Sequence, residues 1–388
     1  MSDMLPAKKK DISISHLRNL NIASVSDIHL GHNRNVAENI IANLDREFPD
    51  NAETAKLNLI FIAGDVFDTL LFLSRDAVAE IKLWITRFLR RAKKNGTIVR
   101  VLEGTPSHDR KQSMLFPLIN EMLEINADVK HVTELSIERI DKLGLDVLYI
   151  PDEWTDSPDK TFEQVVDLMN AKGLSQVDFA VMHGSFNYQL NPMIKAPRHS
   201  EDHYLSIVRE YIFVGHIHHH SVYKRIIAQG SFDRLAHGEE EAKGHVRVYY
   251  DADGNRRIKF IENKGAMIFK TVNCTGLEIG EILDKVKAVM EKLPENAFVR
   301  IEAERENPIF STFEVLIRQY PLVTWSKLPR DENEEVEEVN IVPDEEDSFV
   351  PVTITRDNIV SLLMDRLVRQ GVPDAVRARC EMLLLEAA

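Results

Sequence analysis

The chain has 388 residues, 44% of them apolar, and a net charge of −14 at pH 7. Its length suggests two or three domains, and no apolar run approaches the roughly 20 residues that a membrane-spanning helix needs. The acidity argues against a nucleic-acid partner, but ten of the carboxylates fall in residues 331–347, a stretch with no Lys or Arg, so the remainder is only mildly acidic.

The opening MSDMLPAKKK carries a basic cluster that no apolar segment follows, so a secretory signal is not expected. Residues 20–26 (LNIASVS) read as a short strand running into Asp27, and 57–63 (LNLIFIA) as another ending at Gly64-Asp65. A helix is expected over 75–94, where Ile81, Leu83, Trp84, Ile85, Phe88 and Leu89 recur among basic residues. Strands follow at 97–103 before Gly104 and at 145–150 before Pro151, then a helix over 160–172. Further strands at 177–182 and 211–214 run into His183 and Gly215-His216. Such alternation implies a layered α/β core, with ligands beyond the carboxyl ends of the strands. The Asp253-Gly254-Asn255 turn predicts a hairpin, and 267–328 reads as a small βαβ-type unit. The acidic run is expected to be a solvated linker, followed by two helices near the C-terminus. Only Cys274 and Cys380 are present, without metal-ligand spacing, which fits a reducing compartment.

Polar clusters stand at five strand ends: Asp27-Ile28-His29, Gly64-Asp65-Val66-Phe67-Asp68, Gly104-Thr105-Pro106-Ser107-His108-Asp109, His183-Gly184, and Gly215-His216-Ile217-His218. Any one alone is an ordinary surface or turn feature. Together, imidazoles and carboxylates suit borderline divalent ions. The alternation in Asp-x-His and His-x-His turns both side chains to one side of an extended segment, so five clusters can supply two metals sharing a bridging carboxylate.

This series resembles the calcineurin-like metallophosphoesterase superfamily. Residues 229–244, QGSFDRLAHGEEEAKG, are similar to a segment of the SbcD-type double-strand-break repair nuclease subunits, as is Ile150-Pro151 ahead of Trp154. The likeness covers about residues 20–250. It implies a four-layer αββα sandwich with a small α+β capping domain and C-terminal helices. It also implies two Mn²⁺ ions (Mg²⁺, Fe²⁺ or Zn²⁺ in their place). Asp27, His29 and His218 would hold one ion and His183 and His216 the other, with Asp65 bridging. His108 would donate a proton or stabilise the transition state, and Asp109 would orient it. The family loop reads Gly-Asn-His-Asp; here it is two residues longer and Ser107 is expected where Asn would ligate the second ion. Arg234 is a candidate for facing a substrate phosphate or for a structural role.

The expected domains are 1–262 (nuclease), 263–330 (capping, DNA-binding), 331–352 (acidic linker) and 353–388 (helices that bind an ATPase). The expected function is a Mn-dependent DNA exonuclease and endonuclease in the cytoplasm. Its expected partners are DNA, an SMC-like ABC ATPase and a second copy of the chain, with helices near 76–94 and 112–125 forming the homodimer. The alternatives are a phosphatase or cyclic-nucleotide phosphodiesterase on the same fold, and a non-catalytic scaffold for the ATPase.

Overall fold

A computed structural model describes residues 17–71, 76–294 and 296–330, all within one compact unit spanning Met1–Glu332. The expected linker and terminal helices beyond residue 330 lie outside the described residues.

The chain begins with β1 (Leu20–Val25), α1 (Ala37–Glu47), β2 (Leu59–Ala63), α2 (Asp76–Asn95), β3 (Ile98–Leu102), α3 (Leu115–Met122) and β4 (Val129–Val132). It continues with β5 (Ser136–Ile140), β6 (Leu145–Ile150), α4 (Pro158–Ala171), β7 (Val177–His183), α5 (Glu201–Ile207), β8 (Val208–Gly215), β9 (Ser221–Tyr223) and β10 (Ile226–Ala228). The hairpin of β11 (Gly244–Tyr250) and β12 (Arg256–Glu262) then returns to the first sheet, whose order is β12-β11-β1-β2-β3-β4. The second six-stranded sheet runs β5-β6-β7-β8-β10-β9. In both, the central strands are parallel; the first sheet is antiparallel at its β12-β11-β1 side and parallel to its β4 edge, and the second is antiparallel at both edges.

The residue alternation of the strands shows how the layers stack. On β1, Ile22 faces a core shared with Val147 and Tyr149 of β6 and Phe213 of β8, so the two sheets pack face to face. Ala23 and Val25 face the other way, under residues of α1 and α2. On β6, Leu148 and Ile150 likewise turn away from the sheet-sheet core toward Val165 and Met169 of α4. Both faces of β2 are therefore covered, which is why LIFIA is apolar throughout and wholly buried.

A third, parallel sheet of β13 (Phe269–Asn273), β14 (Phe298–Glu304) and β15 (Thr324–Arg330) is flanked by α6 (Ile279–Met290) and α7 (Glu314–Gln319). It has its own core, in which Val299 and Ile301 pack with Ile282 and Val286. Among the described residues no helix is long and apolar enough to cross a membrane.

Candidate metal centre

The carboxyl ends of β1, β2, β3, β6, β7 and β8 meet at one place. Backbone hydrogen bonds zip the loops together there. Ile28 and His29 N–H groups donate to the Asp65 carbonyl, and Leu30 N–H donates to the Val66 carbonyl (2.8, 3.1 and 2.8 Å). Four residues of the cluster have left-handed backbones: Asp27 (φ 49°), His29 (φ 53°), Asp65 (φ 50°) and His216 (φ 100°). Such conformations cost about 1–3 kcal/mol each unless surrounding structure fixes them. The crowding also demands glycine. A Cβ on Gly64 would stand 2.2 Å from His183 Nδ1, and one on Gly104 2.2 Å from the Asp65 backbone nitrogen.

Four overlapping groups of candidate ligands form, with the ligand atoms of each within 4.8 Å of one another: Asp27, His29 and His218; Asp152, His183 and His216; Asp27, Asp65 and His183; and, toward the rim, His29, Asp68 and His108. Asp65 joins them, its Oδ2 lying 3.2 Å from His183 Nε2 and 3.9 Å from His29 Nε2. All six expected residues other than Ser107 are thus brought together with Asp65 among them. The imidazole orientations are held from behind. His29 Nδ1 is 3.1 Å from Asp68, His218 Nδ1 is 2.7 Å from Glu239, and His183 Nδ1 is 2.7 Å from the Ala63 carbonyl. Each partner is an acceptor, so each Nδ1 carries hydrogen and each Nε2 presents a lone pair to the cluster. The Nε2 atoms of His29 and His218 face each other across 3.2 Å. Two lone pairs at that separation need a proton or a cation between them.

The electrostatics point the same way. Burial pulls His29 down, yet its hydrogen bond to Asp68 and the charges of Asp65, Asp68 and Asp27 raise it to about 9. Burial likewise opposes ionisation of His183, but the Asp65 carboxylate lifts it well above the ordinary imidazole value. Burial pushes Asp65 up, and the surrounding imidazoles overcome this and hold it well below the usual carboxylate range. Asp27 Oδ2 is buried with no partner, while its Oδ1 accepts the His216 N–H at 2.9 Å. This donor set of imidazole and carboxylate, with an orphaned buried oxygen, fits divalent cations.

Two expected residues, Ser107 and Asp109, stand differently, and Arg234 takes the structural one of its two expected roles. Ser107 is exposed, and what it contributes is its carbonyl, which accepts Arg110 Nε at 2.9 Å. The reason is a turn in which the Thr105 carbonyl accepts the N–H groups of His108 and Asp109 (3.0 and 3.1 Å). The turn points Pro106 and Ser107 outward and leaves Thr105 inside. Asp109 does not orient His108: its carboxylate accepts the backbone N–H groups of Gly104 (2.8 Å), Phe67 (3.0 Å) and Asp65 (3.1 Å), clamping two ligand loops together. Burial and the nearby Asp65 charge push Asp109 up to about 7. Arg234 spends its guanidinium on backbone carbonyls of Glu241, Met267, Ala266 and Glu240 (3.1–3.5 Å), which makes it a tie between the 233–243 loop and residues 266–267.

His108 lies at the rim, its ring centroid 5.0 Å from that of His29. Burial pushes it below the ordinary imidazole value, and its Nδ1 has no partner. Asp152, Asp68 and Glu239 were not singled out from the sequence as ligands or supports. Asp68 and Asp152 carry the same signal as the others, a carboxylate just past a strand end. Glu239 sits in a loop without that signal, but within residues 229–244, whose resemblance to a nuclease segment marks it.

No family model matches the chain, and no curated protein is similar to it. One solved structure aligns with 62% of this chain and 99% of its own, at 11% identity and a TM-score of 0.38, a likeness too slight to carry an argument about fold or function.

Proposed function

We propose that the chain is a two-metal phosphodiesterase on a calcineurin-like metallophosphoesterase sandwich, and that it cleaves DNA as a Mn-dependent nuclease. The observation that carries the metal part is Asp65, a buried carboxylate that shares a group with Asp27 and His183 and so joins the Asp27, His29 and His218 group to that of Asp152, His183 and His216. The DNA part rests on the resemblance of residues 229–244 and on the presence of the small third sheet beside the main body. Two divalent ions held in this cluster would activate water near neutral pH and neutralise phosphoryl charge.

The chain's own residues do the rest. Asp68 and Glu239 fix the rings of His29 and His218 from their outer nitrogens. Asp109 holds the loops of Asp65 and Thr105 in register through three backbone N–H groups. His108, neutral in the free protein because of its burial, offers an imidazole N–H at the rim, where a phosphodiester oxygen or a departing sugar oxygen would lie.

The test is purified full-length protein with Mn²⁺, given linear DNA and, separately, an aryl phosphodiester. DNA cleavage that a chelator abolishes supports the proposal. Turnover of the small ester alone makes the chain a phosphatase or small-molecule phosphodiesterase. Turnover of neither, in a folded protein that binds Mn²⁺, makes it a scaffold.

A further inference from the structure

The turn after β6 carries Asp152 into the second ligand group. Its Oδ2 lies 3.4 Å from His216 Nδ1 and 3.1 Å from the Thr105 hydroxyl. Its Oδ1 accepts the N–H of Glu153 at 3.0 Å, and Glu153 holds a left-handed backbone (φ 47°) to make that turn. The Thr105 hydroxyl in turn lies 3.2 Å from Asp65 Oδ2 and 3.4 Å from His183 Nε2, while its backbone N–H donates to Asp65 Oδ1 at 2.6 Å.

An inventory of hydrogens shows what is missing. Two carboxylate oxygens, one imidazole Nε2 whose opposite nitrogen already donates to Ala63, and the hydroxyl oxygen itself converge within hydrogen-bond distance. The threonine hydroxyl has one proton and can satisfy one of them. Beyond it, the donors in reach are a hydrogen on His216 Nδ1, 3.4 Å from Asp152 Oδ2, and one on His183 Nε2, 3.2 Å from Asp65 Oδ2, so the pocket holds more lone pairs than hydrogens. A cation satisfies them all at once.

We propose that Asp152 is a direct ligand of the second ion, occupying the role expected of a loop amide, and that Thr105 is a positioning residue that orients Asp152 and Asp65 rather than the principal donor. This rests on the two-metal reading above. The second ion would then be held by Asp65, Asp152, His183 and His216. A carboxylate where a neutral amide was expected adds a negative charge, which shifts the site toward harder ions such as Mn²⁺ and Mg²⁺ and away from Zn²⁺.

The experiment is Mn²⁺ titration of the full chain by calorimetry, with electron paramagnetic resonance of the loaded protein. Wild type should bind two equivalents and give the spectrum of an exchange-coupled pair. Asp152→Ala should bind one equivalent and give the six-line spectrum of isolated Mn²⁺. Loss of an outer-shell partner already costs about 10–100-fold in metal affinity, so loss of a direct ligand should weaken the second ion by about 100-fold or more. Asp152→Asn, which keeps the shape, should weaken it by less and raise the preference for Zn²⁺ over Mn²⁺. Thr105→Val should keep two equivalents and the coupled spectrum, with the second affinity reduced about tenfold. Two equivalents and a coupled spectrum in Asp152→Ala, with affinities within about threefold of wild type, overturn the assignment. If Asp152→Ala does not fold, unchanged affinity and metal preference in Asp152→Asn overturn it instead. Wild type that binds fewer than two ions refutes the two-metal reading itself, a result distinct from the failure of Asp152 alone.

Discussion

Asp65→Asn removes one charge and little volume from the centre of the cluster. In the metal-free protein it separates a buried carboxylate from His183 (3.2 Å) and His29 (3.9 Å). Breaking a buried pair by removing one partner costs about 3–5 kcal/mol. The cost depends on pH in a defined way. His29 is raised in the folded state from 6.5 to about 9, so the stability it contributes is complete below 6.5 and lost as pH rises through about 9. Asp65 is depressed, so its contribution is present above the ordinary carboxylate range and lost only in acid. Urea unfolding in the presence of a chelator should therefore show the full penalty near pH 6 and a smaller one above pH 9, where the His29 share is lost. With Mn²⁺ the variant should lose at least one ion. Removing the bridge takes away several kcal/mol of transition-state charge stabilisation, and each 1.36 kcal/mol is tenfold in rate, so a fall of about 10³-fold or more is expected. Metal analysis and chelator-sensitive hydrolysis of linear DNA measure both. Two retained ions with near-normal turnover, or a penalty that grows between pH 6 and pH 9, refute the reasoning.

His108→Ala should slow cleavage by about 10²–10⁴-fold while both ions stay bound; loss of an ion would make His108 a ligand. Arg234→Lys should destabilise the fold by about 2 kcal/mol through lost carbonyl contacts without changing the salt dependence of DNA binding; a salt slope reduced by about one would reveal a phosphate contact. The expected homodimer finds a face to use in Met114, Leu118 and Met122, spaced four apart and exposed (54%, 41% and 72%). Light scattering should give a two-chain mass at micromolar concentration and a single-chain mass for Leu118→Glu; a wild-type monomer removes the dimer. Two imidazoles outside the candidate ligands, half-buried His199 and buried His245, should weaken the fold in acid. Burial holds His199 down to about 4 and His245 well below its ordinary value, so the unfolded chain binds more protons below 6.5. Each should withdraw up to about 2 kcal/mol of stability between pH 6.5 and pH 5. A flat unfolding profile over that range excludes this, and His245→Gln should flatten it by one residue's share.

The order of elements was legible because each central strand announces itself as an apolar run closed by Gly, Pro or Asp. LNLIFIA before Gly64-Asp65 and VDFAVM before His183 are strands for the physical reason that a parallel strand covered on both faces is apolar over most of its length; Asp178, the exception in β7, accepts the Asp146 N–H and pairs with Arg209. The hairpin at Asp253–Asn255 and the helix-containing unit from 269 to 330 were legible on the same grounds. What the pattern could not convey is pairing. Nothing in residues 244–250 says that they run antiparallel to β1, about 220 residues away, because the register is set by side-chain fit in the finished core.

The candidate site divides along the same line. Asp27, His29, Asp65, His183, His216 and His218 were readable because a ligand at a strand end inherits its direction from the strand. The residues between strands obey loop geometry instead. Counting back from His108 puts Ser107 at the ligand position. The chain closes a turn on the Thr105 carbonyl, and closure turns Ser107 outward. Asp109 follows His108 directly and looked like its partner. Three backbone N–H groups within 3.1 Å offer a carboxylate more than one imidazole can, so it faces them. Arg234 satisfies four carbonyls for a similar reason: the loop of 233–243 and the strand entry at 266–267 must leave carbonyls unpaired where they meet, and a guanidinium with five donors closes that gap. Asp152 is the instructive case. Ile150-Pro151-Asp152 follows the same rule as Asp27 and Asp65, a carboxylate just beyond the carboxyl end of a buried strand, and that rule reaches it without any family pattern. A centre drawn from six strand ends needs each end inspected for what its side chains can donate, and the turn after β6 brings a carboxylate within reach of His183 and His216.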